Sequence, residues 1–179
     1  MSASKTIAAA IIIASSSAAV AQTKVAVSPG TAVPSGTCAA PAGEITESPS
    51  TISGTTVGGV NGVDISCTEY GTVDGPERIY TFTPTGTNNL TFSVIGQSGV
   101  YDPAIYILDT CGDGTSCLIG SDDVPSQFSP SINFSGTAGT EYFFYVDSYW
   151  AAGDGLEAGP FTLNVTGTFP VTLTEFSID

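Results

Sequence analysis

Apolar and polar positions along this 179-residue chain alternate with a period of two and nowhere follow a period of 3.6 after Cys38. Leu90, Phe92 and Val94 share one face against Thr91 and Ser93, and Phe161, Leu163 and Val165 oppose Thr162, Asn164 and Thr166. A strand sends successive side chains to opposite faces, so these runs mark half-buried strands. Runs of this kind, separated by Gly, Pro, Asn and Asp, predict strands over 50–57, 78–83, 89–95, 104–109, 117–121, 131–135, 141–147 and 160–166. About eight short strands at this spacing predict an all-β fold, an antiparallel β-sandwich or jelly roll.

Two of the runs are apolar on both faces. Tyr142, Phe144 and Val146 back onto Phe143 and Tyr145, and Ile105 and Ile107 back onto Tyr106 and Leu108. Such strands belong in the middle of a sheet whose second face is covered, here by the chain's own loops or by a neighbouring molecule.

The ends read differently. Lys5, the apolar run 7–14 and the small-x-small triplet Ala19-Val20-Ala21 form a secretory signal peptide over 1–21, too short to be a stable membrane span. No second apolar run of about 18 residues follows, so no membrane span is expected once it is removed. Residues 22–37 carry two prolines and read as an extended arm or linker, with Val25, Val27 and Val33 able to pair as a strand. The domain then runs over 38–167. The tail 168–179 is a last strand, a frayed end or a strand offered to another subunit's sheet edge, with Val171 and Leu173 alternating with Thr172 and Thr174.

Composition narrows the function classes. After Ala21 only Lys24 and Arg78 are basic against 17 acids, a surface that repels nucleic acid and anionic lipid and attracts divalent cations. There is no histidine, which excludes a Ser-His-Asp triad and any His-ligated zinc or iron. Four cysteines in an exported chain read as two disulfides with three possible pairings. Neighbour pairing, Cys38–Cys67 and Cys111–Cys117, is the simplest; loop-closure entropy would give these roughly 3.5 and 2.5 kcal/mol.

Tyr101–Asp123 concentrates the candidate chemistry. Asp102, Asp122 and Asp123 fall at the ends of strands able to lie side by side, so their carboxylates could converge on calcium, with loop carbonyls supplying further oxygens. Alternatively they cap turns and face solvent. Asp109 and Asp113 resemble part of a calcium loop without its spacing, and Asp147 with Asp154 and Glu157 forms a second, weaker set. Tyr149-Trp150 would either stack on a sugar ring or close one end of the core. Paired carboxylates could serve a glycosidase, but the acids lie on turns and none is expected alone within an apolar strand, so no enzyme is expected. Three sequons, at Asn89, Asn133 and Asn164, matter only in a host that glycosylates them.

The order of features resembles a known family. GTCAAP, a second Cys ahead of GPERIYTFTPTGTNNLTFSV, then YDPAIYILDTC, SDD, GTEYFFYVDSY and GPFTLNVTG together resemble the bacterial pre-peptidase C-terminal domain, in its cysteine-bearing variant, over about 37–167. On this likeness Glu77, Tyr80, Phe82 and Pro84 stand in one family step, with Glu where Asp is commoner. Tyr101, Asp102, Ile105 and Tyr106 stand in a second step, and Gly139, Tyr142, Val146 and Asp147 in a third. The resemblance implies a jelly-roll-like sandwich appended to secreted enzymes and surface proteins. Little precedes the domain here, which argues against service to a catalytic domain in the same chain.

Two function classes follow for a secreted, extracellular or cell-surface protein. It is a structural subunit of a filament or surface layer that exchanges strands and is stabilised by disulfides and calcium. Alternatively it is a module accessory to secreted hydrolases that binds polysaccharide or protein through Tyr149 and Trp150.

Overall fold

The computed structural model describes residues 36–68, 71–86, 89–97, 100–122, 129–151 and 153–169. The signal peptide, residues 22–35 of the arm, Asp123 and the tail from Pro170 onward lie outside them. The described residues form an antiparallel-rich β-sandwich of eleven strands: β1 (Gly43–Ile45), β2 (Ser50–Thr55), β3 (Ile65–Thr68), β4 (Gly71–Val73), β5 (Arg78–Phe82), β6 (Asn89–Gly96), β7 (Pro103–Leu108), β8 (Cys117–Asp122), β9 (Ser131–Ser135), β10 (Tyr142–Ser148) and β11 (Pro160–Gly167). All eight expected strands are present, with ends displaced by two residues at most. The additional β1, β3 and β4 are three or four residues long, too short to show an alternation.

One sheet has the order β1-β5-β10-β7-β8, the other β2-β11-β6-β9, and β3-β4 form a separate hairpin. All pairings are antiparallel except β1 with β5. The period-two pattern puts one row of each strand between the two sheets. Phe82, Phe92, Phe144, Leu90, Leu163 and Val165 are fully buried there, with Phe92 stacked on Phe144 and tilted against Phe82, both at 4.9 Å between centroids.

The two strands that are apolar on both faces, β7 and β10, are neighbours in the middle of the five-stranded sheet. Their second face carries its own core of Tyr106, Leu108 and Tyr145, covered by Val63, Ile65 and Val73 from the β3-β4 region. Coverage by the chain's own loops is therefore what the structure shows.

The disulfides join this layer to the sheet, and the neighbour pairing is corrected. The bonds are Cys38–Cys111 and Cys67–Cys117. The segment before β1 runs beside β5, where the Ala42 amide donates to the Ile79 carbonyl, and this brings Cys38 to the loop after β7. Cys67 lies in β3, which packs on β8 and so meets Cys117 at its start. Cys111 and Cys117 are separated by a 3-10 turn over Gly114–Ser116, capped by the Asp113 carboxylate, and they serve different partners.

Candidate functional site

The acidic end of the sandwich is built where β7 begins and β10 ends. Pairing of Ala104 with both Asp147 and Asp122 puts three acid-bearing strand ends together. Asp102, just before β7, is buried; its carboxylate Oδ2 accepts from the Trp150 indole at 3.1 Å and its carbonyl accepts from the Tyr149 amide at 3.2 Å. The Ser148 hydroxyl lies 3.2 Å from the Asp102 carbonyl and 3.3 Å from that of Leu156, and accepts from the Trp150 amide at 3.0 Å. Trp150 is thus half-buried and tied to Asp102, with Tyr149 edge-on at 5.3 Å.

Behind this loop lies a group that the sequence reading missed. Glu77 and Asp147 are 3 % and 0 % exposed, and the Tyr106 hydroxyl sits between them, 3.3 Å from Glu77 Oε1 and 3.0 Å from Asp147 Oδ2. Glu77 Oε1 also accepts from the amides of Gly62 and Val63 at 3.1 and 2.8 Å, which holds the loop between β2 and β3 onto the sheet. The Ser148 amide donates to Asp147 Oδ1 at 2.6 Å, and the Tyr101 hydroxyl donates to the Asp147 carbonyl. Gly75 is required beside them, because a Cβ there would come 2.4 Å from that of Ser148 and 3.1 Å from Asp147 Oδ1.

Burial is the first cause of the raised pKa of both acids; for Asp147 the charge of Glu77 adds to it, while for Glu77 that of Asp64 does. Asp147 is pushed well up, and Glu77 is raised. A tyrosine hydroxyl has one proton and here it faces two carboxyls. It donates to one, and the other contact needs a carboxyl proton. Burial and a neighbouring charge favour the protonated form of both carboxyls, more strongly for Asp147 than for Glu77. The expectation that no acid sits alone within an apolar strand where burial would raise its pKa is therefore corrected: Asp147 is buried within β10, beside Tyr145 and Val146. These carboxyls are placed to hold backbone, since so little of either reaches solvent that a substrate atom would have no approach.

Asp102 and Asp122 do come to the same end of neighbouring strands, both buried. Asp123 lies outside the described residues, and among those described no three His, Cys, Asp or Glu side chains are grouped to hold a metal. Asp154 and Glu157 do not join Asp147. Asp154 is exposed, and Glu157 turns back on its own loop, accepting from the Gly155 amide at 2.5 Å, with its pKa lowered by backbone hydrogen bonds. Asp113 is likewise lowered by the Thr115 hydroxyl and amide that it caps, and Asp109 accepts from the Thr110 hydroxyl. Three of the motif acids of the family likeness, Glu77, Asp102 and Asp147, are thus buried around Tyr101 and Tyr106. That shared placement in three separate motif steps was the signal available in the sequence.

No family model matches the sequence, and no curated protein does. The chain is similar to several solved structures. One is the pre-peptidase C-terminal domain of a collagenase from Bacillus anthracis, at 20% identity and a TM-score of 0.45, covering 69% of this chain and 93% of that one. Another is PliG of Aeromonas hydrophila, a periplasmic lysozyme inhibitor of g-type lysozyme, at 13% identity and 0.43, covering 66% and 85%. A third is CorA, a surface-associated copper-binding protein of Methylomicrobium album BG8, at 8% identity and 0.44, covering 69% and 96%. The first is a domain of the family that the motif order resembles. The two disulfides fit an oxidising compartment, and among the described residues no helix is long and apolar enough to cross a membrane.

Proposed function

We propose that this chain is an exported, non-catalytic β-sandwich that builds extracellular structure by self-association through its sheet edges. The observation that carries this reading is the four-stranded sheet. Among the described residues its outer strands, β2 (STISGT) and β9 (SINFS), each pair with one strand only, and neither contains a charged residue. Edge strands of monomeric proteins are commonly blunted by charge, because their unpaired N–H and C=O groups accept a further strand. The alternating apolar residues of the arm and tail, Val25 and Val27 at one end and Val171 and Leu173 at the other, are suited to supply it.

Sedimentation of the chain lacking residues 1–21, over a range of concentrations, tests this reading. Oligomers are expected, and deleting 22–35 or 170–179 should leave a folded monomer. A monomer at high concentration in the presence of calcium would defeat the reading.

The proposal extends to calcium at the end marked by Asp102, Asp122 and Asp123, on the support that two of these acids reach one end of paired strands in a chain of net charge −14. Millimolar calcium should then raise the melting temperature, and Asp122→Asn should abolish the rise.

A further inference from the structure

The four strands of the smaller sheet contain no Asp, Glu, Lys or Arg, in a chain with 17 acids. Soluble globular proteins ordinarily carry about a quarter charged residues. The strand register sets the outward residues of this sheet in rows. Thr51, Asn164, Ser93 and Ser131 lie abreast across all four strands. Thr166, Thr91 and Asn133 form the next row, and Ser53, Thr162 and Ile95 the row on the other side. Rows of this kind repeat at about 4.8 Å between strands and about 7 Å along them.

The rows are pre-organised. The Thr51 hydroxyl donates to Asn164 Oδ1 at 3.0 Å, that of Thr91 to Asn133 Oδ1 at 2.7 Å, and that of Ser135 to Asn89 Oδ1. Holding these side chains in place before contact lowers the entropic cost of contact. At the Ile95 end the face sinks into an open trough of about 350 Å3, lined by Ser53, Ile95, Gln97, Pro160, Phe161 and Thr162. Ile95 is 50 % exposed and gives the trough an apolar wall among hydroxyls and an amide.

We propose that this face is a docking surface for a neutral polysaccharide. The trough seats the apolar face of one sugar ring, and the Ser, Thr and Asn rows meet the hydroxyls of the chain that continues from it. Charge decides the class of partner. An acidic protein repels anionic polymers, and a face with no charge offers cations nothing to hold. Hydroxyls and amides donate and accept at once, as sugar hydroxyls do, and an apolar surface beside a few convergent polar groups suits a ring with one apolar face. A second copy of this chain is a poorer fit, since interface centres are apolar and charge-depleted with buried aromatic anchors, whereas Ile95 is the one large hydrophobic exposed on these four strands. The proposal does not rest on self-association, which uses backbone at the sheet edges.

The test is co-sedimentation of the chain lacking residues 1–21 with insoluble cellulose and chitin, and with alginate gel as the anionic control, at low and at 0.5 M salt. Retention is expected on a neutral polymer, unchanged by salt, and weakened about tenfold by the double change Thr162→Ala and Asn164→Ala, the scale of losing one or two hydrogen bonds. Ser53→Ala, on the outermost strand, gives a second reading should the double variant unfold. Trp150→Phe should bind as the parent does.

Absence of retention on either neutral polymer, or retention only on alginate, would overturn the proposal. So would face variants that bind like the parent, or loss confined to Trp150→Phe. A mass showing glycans on Asn89, Asn133 or Asn164 would also overturn it, because they would cover the face. Oligomer formation, measured in the same samples, reports separately on the edges.

Discussion

Asp147→Asn isolates the buried acid pair. In the folded protein burial and the Glu77 charge raise the pKa of Asp147, whereas unfolded it ionises at about pH 4. Above that pH the folded state therefore binds one proton more than the unfolded state, and stability falls as pH rises through the window up to the folded pKa. The slope is about 1.4 kcal/mol per pH unit for one proton. The introduced amide has the shape of a carboxyl, and its oxygen can accept from the Ser148 amide as Asp147 Oδ1 does. Near pH 4 the two proteins should agree within about 1 kcal/mol, the scale of one altered hydrogen bond. As pH rises, the variant should gain on the parent by up to about 1.4 kcal/mol per unit until the parent's folded carboxyl ionises. Urea unfolding followed by circular dichroism from pH 4 to 8, at equal m-values, reads this directly. Parallel stability curves for parent and variant would refute the raised pKa of Asp147.

Other consequences are as specific. Peptide mapping without reductant should recover Cys38 with Cys111 and Cys67 with Cys117. Replacing Cys38 and Cys111 by Ser should cost about 4 kcal/mol, because that bond spans 73 residues, more than a neighbour pairing would close. Gly75→Ala should destabilise by about 2 kcal/mol or more, measured by thermal melt, since its Cβ would strike Ser148. Trp150→Phe removes a donor from the Asp102 carboxylate and should cost about 1–3 kcal/mol in the same assay.

The sandwich was legible because one face of nearly every long strand is buried, which writes the fold into the sequence as alternation. It also shows in β7 and β10, where apolar residues on both faces announced a covered sheet before the covering layer was known. That layer was not legible: β3 and β4 are held by Cys67 and by Val63, Ile65 and Val73 against Tyr106 and Tyr145, contacts between residues distant in the chain. The same distance hid the disulfide partners. Nearness in sequence favoured Cys111 with Cys117, but the 3-10 turn between them directs each toward another segment. Glu77 and Asp147 looked like ordinary acids at strand ends; the Gly62 and Val63 amides on Glu77, Gly75 beside Asp147 and the Tyr106 hydroxyl between them are brought together only by the fold. The uncharged face was visible strand by strand as Ser, Thr and Asn, but the register was needed to set those residues in rows.

Self-association through uncharged edges is the central claim, and sedimentation velocity of the chain without residues 1–21 tests it most directly. The account predicts species larger than a monomer that grow with concentration, and a folded monomer once 170–179 or 22–35 is removed. A single monomeric boundary for the parent at every concentration, with and without calcium, would contradict it.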